Sequence, residues 1–310
     1  MSADFCENCG SKASFAPLFA ASHATRRCQR CDGWHHFAPL PAAAAELYDR
    51  DYFFGAEYRD YDLSRAAQRI NFQRKLRLLT QAGCTIGASS RVLELGCATG
   101  DFLALVRQQS GASTLGIEVS AFARGRALEQ GLSVLSPDDP ELTRRVADFA
   151  PDFIVAWDVW EHLSHPATVF DAHIAAARRG VVVALTTVDA SSAVARLRGH
   201  RWRQFHPPTH LNYPTRRSLR SFLQDRAFQV RSQQSFGYHR PLLEYVGALG
   251  LQPHSSDLQA QGTSAQSTAG QATGTHYTAP QQTLTQRWLV HPVYLNLYDT
   301  QLVIAQRRGS

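Results

Sequence analysis

No stretch of this sequence approaches the roughly 18 consecutive apolar residues that a membrane-spanning helix requires. Its start, Met1-Ser-Ala-Asp-Phe-Cys6, lacks the basic segment followed by an apolar run that marks an export signal. A membrane span and secretion are both disfavoured, and a cytoplasmic setting is expected. Cysteine is scarce, six in 310 residues, and four of the six fall in two C-x-x-C pairs while Cys84 and Cys97 stand alone. In a reducing compartment the paired set points to metal, not disulfides. The excess of positive charge is small: the formal net charge of +6 and pI near 9.1 favour anionic partners such as nucleotide sugars, acidic glycans or RNA, and say nothing of the fold. With 44% hydrophobic residues the chain can bury one large core and a small accessory unit.

The accessory unit is read from the cysteines. Cys6-Glu-Asn-Cys9 and Cys28-Gln-Arg-Cys31 are separated by 18 residues, the spacing of a structural zinc site. Four thiolates close a tetrahedron and leave no position for catalysis, whereas redox-active thiols need only one pair. His23, His35 and His36 are expected to be bystanders.

The main unit is organised around Arg91-Val-Leu-Glu-Leu-Gly-Cys-Ala-Thr-Gly-Asp-Phe-Leu103. Val92, Leu93 and Leu95 suit a strand buried on both faces; Gly96, Ala98 and Gly100 let the backbone approach a ligand; Asp101 is expected to cap a helix from Phe102. The dinucleotide spacing G-x-G-x-x-G is missing. Small residues fall instead as G-x-A-x-G behind the carboxylate of Glu94, which favours a ligand with a cationic end. The next strand, Thr114–Glu118, ends in an acid 22 residues after Gly96.

Strand Arg91–Leu95, helix Phe102–Gln109, strand Thr114–Glu118, helix Ala121–Gln130, strand Ser133–Leu135, strand Asp152–Asp158, helix Ala167–Ala177 and strand Val181–Leu185 alternate as in a parallel α/β sheet covered on both faces. An amphipathic helix, Ser64–Gln81, precedes them with Ile70, Leu76 and Leu79 on its apolar side and Arg69, Arg74, Lys75 and Arg77 elsewhere. Ligands in such sheets sit outside the carboxyl ends of the strands, where Asp158-Val-Trp-Glu-His-Leu163 lies. A basic connection with Arg196, Arg198, Arg201 and Arg203 around His200 and Trp202 is either a phosphate clamp or a solvated loop. Phe205-His-Pro-Pro-Thr-His-Leu-Asn-Tyr-Pro214 packs polar rings between prolines, and helix Thr215–Asp225 and an extended segment Phe228–Ser235 follow. Gln252–Gln282 is poor in large apolar residues and reads as a disordered insertion. An aromatic helix, Leu284–Tyr298, and a last strand, Gln301–Gln306, close the chain. The expected divisions are a zinc ribbon at 1–40, an aromatic linker with N-terminal helices at 41–85, the main domain at 86–251, the insertion at 252–283 and a return to the main sheet at 284–310. The aromatic run Tyr48–Tyr61 either covers a ligand or joins ribbon to domain.

The 91–103 segment resembles motif I of the class I S-adenosylmethionine-dependent methyltransferases, commonly E/D-x-G-x-G-x-G, with Ala98 at the middle glycine. That resemblance implies a Rossmann-like seven-stranded sheet in which Gln301–Gln306 is the seventh strand. Glu94 would hold the cofactor's ammonium, the N–H groups of the turn and helix start its carboxylate, and Glu118 its ribose hydroxyls. The cofactor-lining set carried over is Glu94, Gly96, Cys97, Ala98, Gly100, Phe102, Glu118 and Val119, with Asp158, Val159 and Trp160 after the fourth strand. Asp158–Leu163 is similar to the D-V-L-E-H-h segment of a group that includes small-molecule O- and C-methyltransferases. Phe205–Pro214 is similar to the H-x-H-h-x-Y segment of the same group. In its sugar-nucleotide C-methyltransferase branch, which also carries a zinc ribbon, the histidine matching His210 is the general base beside a tyrosine matching Tyr213. That branch has glutamate where this chain has Thr209, and a long C-terminal domain that is not expected within these 310 residues. Glu161 and His162 are further catalytic candidates. The expected acceptor is a small molecule or glycan precursor; the alternative is RNA, gripped by the ribbon and the basic connection. No N-P-P-Y signature of amino-methylating enzymes follows the fourth strand.

Overall fold

The computed structural model describes residues 5–19, 22–37, 61–242 and 291–309. The aromatic run at 48–60, the insertion at 252–282 and the first part of the expected 284–298 helix lie outside these residues. The N-terminal unit is built of an antiparallel pair, β1 (Phe5–Cys6) and β2 (Ser11–Lys12), and a separate antiparallel run of β3 (Phe15–Phe19), β4 (Ser22–Cys28) and β5 (Trp34–His36). Helix α1 (Tyr61–Gln81) leads into the main sheet.

Chain order through that sheet is β6 (Arg91–Leu95), α2 (Asp101–Ser110), β7 (Ser113–Ile117), α3 (Ala121–Glu129), β8 (Val134–Leu135), α4 (Leu142–Phe149), β9 (Phe153–Trp157), α5 (Pro166–Ala175) and β10 (Val182–Val188). Then come α6 (Ala193–Arg198), β11 (Asn212–Tyr213), α7 (Arg216–Gln224), β12 (Phe228–Ser235), β13 (Tyr238–Pro241), β14 (Pro292–Leu295) and β15 (Thr300–Arg307). The seven strands stand in the order β12-β15-β10-β9-β6-β7-β8. The five from β10 to β8 are parallel, and β15 runs antiparallel to both β10 and β12. The pleat sends Leu93, Ile154 and Leu185 to one face and Val92, Val155 and Ala184 to the other, so each face has its own core. The expected Rossmann-like seven-stranded sheet is therefore present.

Three expectations are corrected. Residues 292–295 form β14, paired antiparallel with β13, and not a helix. Pro292 supplies no N–H to a helix, and Val293 and Tyr294 favour extended backbone. The basic connection contains α6, capped by Ser192 Oγ accepting from Ala195 N at 3.1 Å. The buried stripe of α1 is Ala67, Asn71, Lys75 and Leu79, spaced four residues apart, with Lys75 inward and not on the solvated side. Asn71 explains the rotation: it donates to His239 O at 2.9 Å and accepts from His239 N at 2.7 Å, joining α1 to β13.

Candidate active site and metal centre

A cavity of about 700 Å³ opens beyond the carboxyl ends of β6, β7 and β9, with Glu94, Ala98, Glu118, Asp158, Glu161 and His210 among its walls. The turn that floors it depends on left-handed backbone at Gly96 (φ 65), Ala98 (φ 47) and Gly100 (φ 83). A Cβ on Gly96 would come within 2.6 Å of Val159 Cγ2, so glycine alone lets the turn close against the loop after β9. Ala98 carries both its methyl group and a left-handed conformation, at a cost of roughly 1–2 kcal/mol.

Four of the turn's amides are already committed: Gly96 N and Cys97 N donate to Ile117 O, Ala98 N to Glu118 Oε2 at 2.8 Å, and Gly100 N to Cys97 O. Asp101 does not cap α2. It is the helix's first residue, after Gly100, and accepts from Thr99 Oγ1 at 2.8 Å and from Arg65 at 2.9 Å. Glu118 is held by two backbone donors, Ala98 N and Ser120 N, while burial pushes its carboxyl up. Glu94 is 3% exposed, burial pushes its carboxyl well up, and its Oε2 has no hydrogen-bond partner. A roomy cavity holding one unsatisfied carboxylate oxygen and a second, oriented carboxylate suits a nucleoside with a cationic end, so these residues fit S-adenosylmethionine.

Cys97, Val119, Asp158 and Val159 also line the cavity. Gly100, Phe102 and Trp160 do not line it. Gly100 packs against Leu132 and Ala127, and Phe102 lies between Phe72 and Trp157. Trp160 is fully buried against Phe170 and Phe222, and its Nε1 donates to Asn8 Oδ1 at 3.0 Å. Their large or tightly packed surfaces are spent on the core behind the turn.

At the other end of the cavity Glu161, His162 and His210 converge, each offering one polar atom within 4.8 Å of the others. Glu161 Oε2 accepts from Thr187 Oγ1 at 2.7 Å; burial, then the neighbouring charge of Asp158, raises its carboxyl to about 8. His162 Nδ1 donates to Thr209 O at 3.0 Å, and burial lowers this imidazole to about 4. His210 Nδ1 donates to Gln204 O at 2.8 Å, and burial lowers it well below the usual range. The carbonyl partners assign the proton to Nδ1 in both rings. Asp158 is left-handed (φ 59) and accepts from Tyr238 OH at 2.5 Å.

Tyr213 is placed differently from the expectation. It is fully buried among Trp34, Trp202 and Phe205, does not line the cavity, and donates its hydroxyl to His210 O at 2.9 Å. It props the His210 backbone and stays clear of the space where an acceptor would sit. Sequence reasoning missed Lys75, Asn71, Tyr238 and His239, all cavity residues. The four-residue spacing of Ala67, Asn71, Lys75 and Leu79 was the available signal for the first two; nothing local marked the others. The phosphate-clamp reading loses two members, since Trp202 Nε1 and Arg203 Nε both donate to the buried Asp299 at 3.0 Å.

The sulfur atoms of Cys6, Cys9, Cys28 and Cys31 lie within 4.8 Å of one another, and the four residues are at most 1% exposed. Hydrogen bonding with neighbouring thiols, Cys28 first, together with burial pushes the Cys6 thiol far up, so four thiolates coexist there only around a cation. The donor set fits Zn²⁺ in a structural role. His35 stands outside the four-thiol set but braces it: its Nε2 lies 3.2 Å from Cys6 Sγ and accepts from Asn8 Nδ2 at 3.1 Å, while Nδ1 donates to Asn212 Oδ1 at 2.8 Å. Asn212 belongs to β11, which pairs with β5, so the segment carrying His210 is a fourth strand of the ribbon's sheet. Thr215 Oγ1 donates to Cys31 O at 2.8 Å, and Glu7 accepts from His165 and from Ala167 N.

A sequence profile described as a methyltransferase domain matches residues 57–233. Among curated protein sequences no significant match was found. The fold is similar to magnesium protoporphyrin IX methyltransferase from Synechocystis PCC 6803, solved with bound SAH, at 14% identity and a TM-score of 0.45, covering 84% of this chain and 92% of that one. It is also similar to a SAM-dependent methyltransferase from Archaeoglobus fulgidus, at 14% identity and a TM-score of 0.44, covering 76% of this chain and 94% of that one.

Proposed function

The chain belongs to the methyltransferase-domain family, and from that premise we propose that it methylates a small-molecule or glycan-precursor acceptor on oxygen or carbon, with S-adenosylmethionine as donor and His210 as general base. The observation that carries this reading is the division of one cavity into two chemistries. Glu94 and Glu118 stand at one end, and Glu161, His162 and His210 at the other.

S-adenosylmethionine, when bound, supplies an electrophilic methyl group on a positively charged sulfur. The chain's residues bind, orient and handle the proton. Glu118, fixed by two backbone donors, is oriented to receive ribose hydroxyls. His210 keeps its proton on Nδ1 through Gln204 O, which leaves Nε2 as the basic atom. Burial keeps His210 neutral at cellular pH and lowers its basicity, so it suits an acceptor with an acidic proton, such as an enol or phenol, better than a simple alcohol. Glu161 retains its own proton to about pH 8 and can donate a hydrogen bond to acceptor oxygen. Zn²⁺ held by Cys6, Cys9, Cys28 and Cys31 would supply rigidity only, because four thiolates would leave it no position for a substrate.

His210→Ala should retain affinity for S-adenosylhomocysteine while losing about 10²–10⁴-fold in turnover on the true acceptor. Unchanged turnover removes His210 from the mechanism. A panel of nucleotide sugars, phenols and RNA separates the acceptor classes, and transfer to RNA alone, with steep salt dependence, would favour the alternative.

A further inference from the structure

Of the 32 basic residues in the chain only Lys12 and Lys75 are lysines. Lys12 is exposed on the ribbon, whereas Lys75 is 2% exposed on the cavity side of α1. Its ammonium lies 4.6 Å from the centroid of the Trp157 ring and within 5.6 Å of the Phe72, Phe236 and Tyr238 rings. Among the described residues it makes no ion pair or hydrogen bond; the charges of Asp158, Glu94 and Glu161 act on it only from farther away. A buried ammonium held by ring faces alone is costly, and a bound anion would offset that cost.

Two more unsatisfied groups share the wall. Glu94 Oε2 and Trp157 Nε1 are buried without hydrogen-bond partners, and both residues line the cavity with Lys75. One cation, one neutral donor and one carboxylate oxygen complement an amino-acid head group, whose own carboxylate and ammonium are two bonds apart. The amides of Gly96, Cys97, Ala98 and Gly100, committed to Ile117, Glu118 and Cys97, do not supply this role.

We propose that Lys75, assisted by the Trp157 N–H, binds the α-carboxylate of S-adenosylmethionine while Glu94 takes its α-ammonium, making α1 part of the donor site and the source of selectivity for the intact amino-acid end. This assignment rests on the donor named above. The lysine, and not one of the arginines used elsewhere, fits because a compact ammonium can stand inside an aromatic box that a planar guanidinium would overfill.

Titration calorimetry on the full chain with S-adenosylhomocysteine and with 5′-methylthioadenosine tests it, because the two share the thionucleoside and only the first carries the amino-acid head. Lys75→Met should weaken S-adenosylhomocysteine by about 10-fold or more and leave 5′-methylthioadenosine within about 2-fold, with Lys75→Arg intermediate. Trp157→Phe should show the same discrimination more weakly, and carries the comparison with Lys75→Arg if Lys75→Met fails to fold. Equal losses for both ligands, or none for either, overturn the proposal and leave the donor assignment standing. A wild-type chain that binds neither nucleoside removes the donor assignment, and this proposal with it.

Discussion

Glu161 shows how one buried side chain couples the site to pH. Unfolded, a glutamate carboxyl loses its proton near 4.5; in the folded chain Glu161 keeps it to about 8. Folding therefore takes up a proton between those values, so this contribution to stability is whole below about pH 4.5 and is lost as pH rises through about 8. Glu161→Gln should be stabilised relative to the parent by an amount that grows from pH 5 to pH 9, on the order of 1–3 kcal/mol at the alkaline end. Thermal denaturation across that range checks it, and a difference that does not vary with pH would show that the carboxyl is ionised throughout. His162 and His173, each lowered to about 4 by burial, act in the opposite direction: their contributions are whole above about pH 6.5 and are lost as pH falls through about 4. Most residues of the site were legible because their chemistry is local to a motif. Glu94, Glu118, Glu161, His162 and His210 sit where strand ends and loops deliver them to one cavity. Trp160, next to Glu161 in the chain, and Tyr213, three residues after His210, turned into the core because large rings gain more from burial than from lining a polar space.

Among the elements, the two-residue strand β11 matters most for its length. It is held by β5 on one side, and His36 N donates to Leu211 O while Leu211 N donates to Glu161 O, each at 2.8 Å. His35 ties the same strand to the thiol cluster through Asn212. His35→Phe keeps a ring of similar breadth and loses those bonds. Hydrogen exchange should accelerate in residues 204–213 while bound zinc and affinity for S-adenosylhomocysteine stay unchanged, and an unaltered exchange profile would make His35 a packing residue only. The alternation of strands and helices from 91 to 188 was legible in sequence because hydrophobic period and turn residues act locally. The inward face of α1 was not, since Asn71 is paid for by a partner 168 positions away.

For the whole molecule, the ribbon and the seven-stranded domain share a boundary made of specific bonds: Trp160 to Asn8, Thr215 to Cys31, His35 to Asn212. The thiol cluster is thus part of the scaffold behind His210. Cys6→Ser or Cys28→Ser should lower bound zinc from about one ion per chain and lower the melting temperature by several degrees, read by metal analysis and calorimetry on reduced protein. Freshly purified, unoxidised protein without zinc would defeat that assignment. Among the described residues no helix is long and apolar enough to cross a membrane. The order of strands, the thiol spacing and the acid behind a small-residue turn follow from the sequence by itself, because each depends on neighbours within a few residues. Tertiary structure alone decided that Lys75 faces the cavity, that Tyr213 props His210 and that the ribbon borrows β11. Those outcomes depend on which long-range partner offers a buried polar group its hydrogen bond, and residues far apart in the chain carry no local mark of that choice.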